Sequence, residues 1–385
     1  MKKTAAPSSS LAAPILDWFD LAGRKDLPWQ HDTTPYRVWV SEIMLQQTQV
    51  KTVIPYFQRF VDSFADVDAL AAASEDQVLH HWSGLGYYSR ARNLHKTAKI
   101  VAGTLHSQFP SDIDTLCELP GIGRSTAGAI RAIAFGQWAA ILDGNVKRVL
   151  ARYYGIEGWP GQSAVAKRLW QLAEHNTPSD RVADYTQAVM DLGATVCTRS
   201  RANCATCPLR DGCIANARDR VAMLPGKKPK RALPIRQSIM LLISNAGGEL
   251  LLEKRPPSGI WGGLWSLPEM PNCDTDDRHQ RSHEIAEHAC ELALTPNIDT
   301  IKTDVSTLRH SFSHYHLDIL PVLCRLSGAP SASNTIASCD RYRWYNPANP
   351  DALGMAAPIR TLIDRFTTEE PMVNSGRHSS SQIAR

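Results

Sequence analysis

The chain has 385 residues, 43% apolar and 21% charged, with a net charge of +4. That length suits two domains, each burying its own core, and the composition is that of an ordinary globular protein. No apolar run reaches the roughly 18 residues of a membrane span. The N-terminus begins with Lys2 and Lys3 but has no apolar core before Pro14 and Asp17, so no secretory signal is expected. Nine cysteines without such a signal point to reduced thiols or metal ligands, not to a disulfide framework.

In chain order, residues 1–11 lack apolar periodicity and are expected to be disordered. Helix-period segments then follow, broken by Gly and Pro: Pro14–Leu21, Arg37–Phe60, Gln77–His81, Arg90–Val101, Ser125–Ala134, Val146–Tyr154, Ala164–His175 and Arg181–Leu192. They make residues 12–217 an all-α domain. Within it, "RVWVSEIMLQQTQV" sets Glu42 in an otherwise apolar run, sharing a helix face with Val38, Leu45 and Gln46. Such a glutamate either reaches solvent or pairs with Arg37 or Arg59, or it is a buried acid with a raised pKa.

"ELPGIGRSTAGAIRAIAF" reads as a turn between helices. Gly121 and Gly123 permit positive φ, and backbone N–H groups at such a turn beside a helix start make a sequence-independent phosphate site. "ILDGNVKRVL" then places Asp143 where it serves as a helix N-cap, as a carboxylate held at a helix start, or both, with Lys147 and Arg148 following.

Cys197, Cys204, Cys207 and Cys213 stand as C-x6-C-x2-C-x5-C. Zinc sites usually pair two tight knuckles. One knuckle with two long, unequal arms suits a four-iron cluster better. Arg199 and Arg201 make the loop basic as well, so it suits a phosphate-facing role.

Residues 218–236 carry seven basic side chains, one acidic residue (Asp219) and three prolines, which reads as an extended linker. It is a solvated hinge or a hinge near a polyanion. Short β-rich runs such as "SIMLLIS", "ELLLEKR" and "FSHYHLDILPVLC" follow, with a helical stretch near His283–Leu292, so residues 237–366 read as an α+β domain. The tail, 367–385, is expected to be disordered.

"LPGIGRSTA", "LDGNVKRVL" and the cysteine spacing resemble the helix-hairpin-helix DNA glycosylases that carry an iron–sulfur cluster. "LPWQ", "VWVSEIMLQQTQV", "WSGLGYYSRARNL", "PSGIWGGLW" and "HSFSHYHLD" bring the resemblance, over roughly residues 12–365, to adenine DNA glycosylases of the MutY type. It implies one 4Fe-4S cluster on the four cysteines and Glu42 and Asp143 as the catalytic acid and aspartate. Trp29, Leu45 and Gln187 would line the base pocket, with Gln30 standing where the family often has a basic residue. Gln46, Gln47, Thr48 and Tyr87 would wedge the duplex, while Tyr88 reads as core. Arg90 and Arg92 are phosphate contacts or a solvated face. Gly121, Gly123, Lys147, Arg199 and Arg201 would meet the DNA backbone.

The endonuclease III branch has a lysine two residues after the hairpin's second glycine, where this chain has Ser125. The resemblance therefore implies a glycosylase without efficient strand cleavage, with Ser125 as an auxiliary. The second domain resembles a Nudix fold, but "HEIAEHA" lacks the Arg and the Glu pair of the hydrolase box, so no pyrophosphatase is expected. Its Phe312, Ser313 and His314 match the loop that reads 8-oxoguanine. The implied partner is double-stranded DNA with A:8-oxoG or A:G mismatches, bound by a monomer inside the cell (cytoplasm or nucleoid if bacterial), with other repair or replication proteins as further partners.

Overall fold

The computed structural model describes residues 11–229, 232–270, 301, 306–326 and 340–369. The tail at 370–385, the first ten residues and the stretch around 283–292 lie outside the described residues. The chain divides into two compact units, residues 1–81 with 89–231 and residues 82–88 with 232–385. Two details differ from the sequence boundaries. Leu11, placed in the N-terminal tail, is buried and donates its N–H to Asn176 Oδ1 at 3.2 Å. Residues 82–88, placed in the helical domain, group with the second unit, where the Tyr88 hydroxyl donates to the Met355 carbonyl at 3.1 Å.

The first unit is helical: α1 Ala12–Ala22, α2 Pro35–Leu45, α3 Val50–Ser63, α4 Val67–Ala72, α5 Glu75–Trp82, α6 Ser89–Thr104, α7 Ile113–Glu118, α8 Arg124–Phe135, α9 Gly144–Tyr153, α10 Ser163–Asn176, α11 Val182–Thr195 and α12 Ile214–Ala217. The short α4 and α7 escaped the periodicity reading because six residues span fewer than two turns. Their aspartate caps are the sequence signal: Asp66 accepts from Ala69 N–H and Asp112 from Thr115 N–H.

The segment read as one helix, Arg37–Phe60, is two. Thr34 caps α2 by accepting from Arg37 N–H at 3.3 Å, with Pro35 at the first helical position. Tyr36, Val38, Trp39, Val40, Ile43 and Met44 are buried, so the helix is held by its core faces. It stops at Leu45, because Arg90 donates from Nη1 to the carbonyls of Ile43, Met44 and Gln46 at 2.8, 2.9 and 2.7 Å. A buried guanidinium thus satisfies carbonyls that a helix end leaves unpaired. Gln47 follows with φ 58°, and α3 starts anew at Val50.

α8 is rich in small residues for a reason. A Cβ on Gly128 would lie 2.5 Å from the Ala140 carbonyl oxygen, so only glycine lets the 139–142 segment lie against the helix. That close approach delivers Asp143 to the start of α9. The stretch read as a linker from 218 is tied to this unit for half its length. Arg152 donates to the carbonyls of Val221 and Leu224, and Gly226 N–H donates to Gly158.

The second unit is a mixed sheet: β1 Ile235–Ser244, β2 Leu250–Lys254, β3 Trp265–Ser266, β4 Glu269–Met270, β5 Leu308–Ser311, β6 His316–Arg325 and β7 Tyr342–Tyr345, followed by α13 Ala357–Glu369. The order is β3-β2-β1-β6-β5, with β4 on β1 and β7 on β2. β1 and β6 pair in parallel from Ile235↔His316 to Ser244↔Arg325, and the other pairs are antiparallel. The apolar residues of β1 and β6, Ile239, Leu241, Ile243, Val322 and Cys324, meet in one core cluster. Ser311↔His316 closes the β5–β6 hairpin, whose loop carries Phe312, Ser313 and His314.

Candidate active site

A cleft of about 890 Å³ in the first unit is lined by Trp29, Glu42, Leu45, Gln46, Gln47, Thr48, Ser125, Asp143, Gln187 and Arg199, among others. Ten sequence candidates from six stretches of chain therefore meet on one surface. Lys147, Arg201, Gly121 and Gly123 do not line it.

Glu42 comes from the middle of α2, half-buried, with Ser41 and Ile43 buried on either side. Among the described residues its carboxyl has no hydrogen-bond donor and no cation within ion-pair distance. Arg37 is turned to the Pro28 carbonyl and to the face of Phe57, and Arg59 to the ring of Tyr56, so neither predicted partner pairs with it. Burial, and next the negative charge of Asp143, push the Glu42 carboxyl up to about 8. Asp143 caps α9: Oδ1 accepts from Val146 N–H at 2.8 Å and Oδ2 from Asn145 Nδ2 at 3.0 Å. Burial raises its pKa, while those donors and the Arg148 charge oppose the rise. Two carboxyls in one dry place therefore differ in a usable way. Asp143 has donors for its charge and loses its proton first; Glu42 has none and keeps its own. Asp143 is thus a helix N-cap whose carboxylate also lines the cleft.

Ser125, the second residue of α8, accepts the Leu142 N–H at 3.0 Å and so pins the residue before Asp143. Gln46 Nε2 donates to Thr126 Oγ1 at 3.4 Å, Thr48 Oγ1 donates to the Gln46 carbonyl, and Gln47 is exposed. These three stand in the turn after α2, not on the helix itself. Trp29 is buried, its ring edge-on to Phe57 at 5.6 Å. Gln30 takes no part in the cleft: it accepts from Leu27 N–H and donates to the Arg24 carbonyl, closing its own loop.

Sequence reading missed the clamps. Asp191, buried on α11 one turn beyond Gln187, receives Arg24 through both its backbone N–H and its guanidinium, which fixes the loop leading to Trp29. The i, i+4 spacing from Gln187 was the available signal. Arg148 donates to Asn145 Oδ1 at 2.8 Å and to the Cys197 carbonyl at 2.6 Å, so a chain of bonds runs from Asp143 through Asn145 to the cysteine loop. Arg90, read as a phosphate contact or a solvated face, is buried and caps the turn after α2.

At the hairpin, Gly121 takes φ 82°, where a side chain would be strained. Gly123 does not: it is extended, with φ −96°, and caps α8 with open space where a Cβ would stand. Arg199 and Arg201 are exposed, and Lys147 is half-buried. The four cysteines are free and half-buried. Arg152, itself buried, donates to Cys197 Sγ at 3.3 Å and to the Thr198 carbonyl at 2.7 Å. The Cys207 thiol is pushed up to about 11, by burial first and further by the charges of Cys197, Cys213 and Cys204. Among the described residues no three His, Cys, Asp or Glu side chains are arranged to hold a single metal ion.

In the second unit, Tyr87 is half exposed at φ 50°, directly after Gly86 and three residues after Gly84, which also have positive φ, while Tyr88 is buried. Phe312 packs against His310, Trp261 and Tyr315 at 4.6, 5.8 and 4.8 Å between ring centroids, leaving Ser313 and His314 exposed at the hairpin tip.

Residues 40–175 match the HhH-GPD superfamily of base excision DNA repair proteins, and residues 239–365 match the NUDIX domain. A curated adenine DNA glycosylase from Buchnera aphidicola (subsp. Acyrthosiphon pisum, strain APS) is 38% identical over 91% of this chain and 96% of its own length. This chain belongs to the adenine DNA glycosylase family. Its namesake from Rattus norvegicus is 36% identical, covering 86% of this chain and 73% of its own length, and that from Homo sapiens 34%, covering 82% and 67%. Family membership accounts for the helical unit followed by a Nudix-type sheet. No helix among the described residues is long and apolar enough to cross a membrane.

Proposed function

We propose that this chain is a monofunctional glycosylase that hydrolyses the N-glycosidic bond of adenine mispaired with 8-oxoguanine, and with guanine, in base excision repair. This activity prevents G:C to T:A mutations. The observation that carries the reading is the carboxyl pair at the cleft: Glu42, held at about 8, beside Asp143 with donors for its charge.

The flipped adenine lies against Trp29, Leu45 and Gln187. Glu42 gives its proton to adenine N7, the bond from C1′ to N9 breaks, and its electron pair leaves with the base. The positive sugar faces the Asp143 carboxylate, as in glycoside hydrolysis. Glu42, now ionised, takes a proton from the water whose oxygen adds at C1′. Ser125 keeps Asp143 in place through Leu142. Gln46, Gln47, Thr48 and Tyr87 fill the gap left by the base, and Phe312, Ser313 and His314 read the opposite 8-oxoguanine. Gly121, Gly123, Lys147, Arg199 and Arg201 meet phosphates of the double-stranded DNA.

Four half-buried thiols that repel one another fit a cationic centre, and a cluster several atoms across suits their spacing better than one ion does. We assign Cys197, Cys204, Cys207 and Cys213 to one 4Fe-4S cluster. When bound, it supplies the positive charge that holds the loop and presents Arg199 and Arg201. The protein acts as an intracellular monomer.

A lysine-dependent lyase is disfavoured, since Ser125 occupies the lysine position and its oxygen is engaged by Leu142. Duplexes with A:8-oxoG, A:G, A:T and thymine glycol, incubated and then split into alkali-treated and untreated halves, test the reading. Breaks are expected only after alkali and only at the first two. An untreated break at thymine glycol would overturn it.

A further inference from the structure

Glu42 borders two clefts. On α2, Val38, Ser41 and Glu42 face a smaller cleft of about 440 Å³, whereas Glu42, Leu45 and, just past the helix end, Gln46 face the one of about 890 Å³. On α11, Ala183, Asp184 and Gln187 face the smaller, and Gln187, Met190 and Asp191 the larger. Steps of three and four residues trace a single stripe on each helix. The two clefts are therefore successive lengths of one groove between α2 and α11, and they meet at Trp29, Glu42 and Gln187.

The two ends differ in chemistry. The larger holds the wedge turn, Asp143 and Arg199, and a duplex bound there covers it. The smaller has none of these. Its lining includes apolar Phe19, Val38 and Ile133, which suit a flat heteroaromatic base. At its rim, Arg181 donates to Asp20 at 2.9 and 2.7 Å and to Asp184 at 2.8 Å, all three half exposed. Gln30, which also lines it, is engaged by Leu27 and Arg24 and so leaves a passing base free.

We infer that the smaller cleft is the exit for the excised purine base, which leaves past the Arg181 ion pairs while the DNA product stays bound. The inference rests on the glycosylase reading above. A base freed at Glu42 stands at the junction of the two lengths, with the duplex closing one way and solvent open beyond the other.

Exposed Thr33 lines this cleft and takes no part in the chemistry. Thr33→Trp narrows the exit and Arg181→Ala opens its rim. Under single turnover with adenine-labelled duplex, two rates are read: alkali-revealed strand scission, and labelled base passing a filter that retains the protein–DNA complex. Thr33→Trp is expected to slow base release by about tenfold with scission at the wild-type rate, since release steps are separable from chemistry. Arg181→Ala is expected to release base at least as fast as wild type. Equal slowing of both rates, or release unchanged in Thr33→Trp, overturns the exit. Loss of scission in the wild type instead overturns the glycosylase reading.

Discussion

The general acid proposed above has to stay protonated near neutral pH, and Glu42 does so at a cost in stability. Its pKa rises from an ordinary 4.5 to about 8 on folding, so between those values the folded chain holds a proton that the unfolded chain has lost. Stability therefore falls as pH rises through that window, and Asp143, also raised, adds in the same direction. Glu42→Gln removes the ionisable group. Thermal unfolding should show the variant more stable than wild type at pH 8.5 and equal to it near pH 4. Its base excision should fall by about 10³-fold, the usual worth of a positioned general acid. Near-wild-type excision by Glu42→Gln would remove it from the chemistry. Wild-type excision should decline above pH 8, on a profile belonging to the carboxyl pair.

At the scale of elements, the end of α2 separates two groups of cleft residues. Glu42 rides the helix, whereas Gln46, Gln47 and Thr48 ride a turn whose shape Arg90 fixes through three carbonyls and Thr48 Oγ1. Arg90→Ala leaves those carbonyls without their donor and is expected to cost about 3 kcal/mol, read from urea unfolding. Arg90→Lys should recover only part, since one ammonium cannot match the planar fork. If Arg90→Ala unfolds at the wild-type midpoint, the cap is not what holds the turn. α8 and α9 share the same logic: Gly128 lets the chain pass close enough for Ser125 to hold Leu142, and Asp143 follows.

For the whole molecule, the Glu42 cleft and the hairpin that carries Phe312, Ser313 and His314 fall in different units. Ser313 and His314 stand exposed at a hairpin tip stiffened by Phe312 among aromatic rings, on a sheet that contributes nothing to the Glu42 cleft lining. Replacing both with alanine should lower the preference for A:8-oxoG over A:G several-fold and leave the A:G rate unchanged. Parallel losses on both duplexes would place the loop in general DNA binding. The chain between the units is shorter than its basic, proline-rich sequence suggests, because Arg152 and Gly158 hold it as far as Gly226.

Residue type and spacing alone determined the helical-then-mixed order and the cysteine quartet, because apolar period and metal-ligand spacing are local properties of a chain; Glu42 and Asp143 stood out as a pair through the family resemblance. Tertiary structure alone decided which groups meet. Arg90 looked like a phosphate contact or a solvated face and is a buried helix cap; Gly123 looked free for positive φ and is extended; Arg24 and Asp191, far apart in sequence, clamp the loop leading to Trp29. Burial by distant segments sets the Glu42 pKa, and two helix stripes facing each other make the groove. Neither is written in any one stretch of sequence, since both arise from what the fold places opposite it.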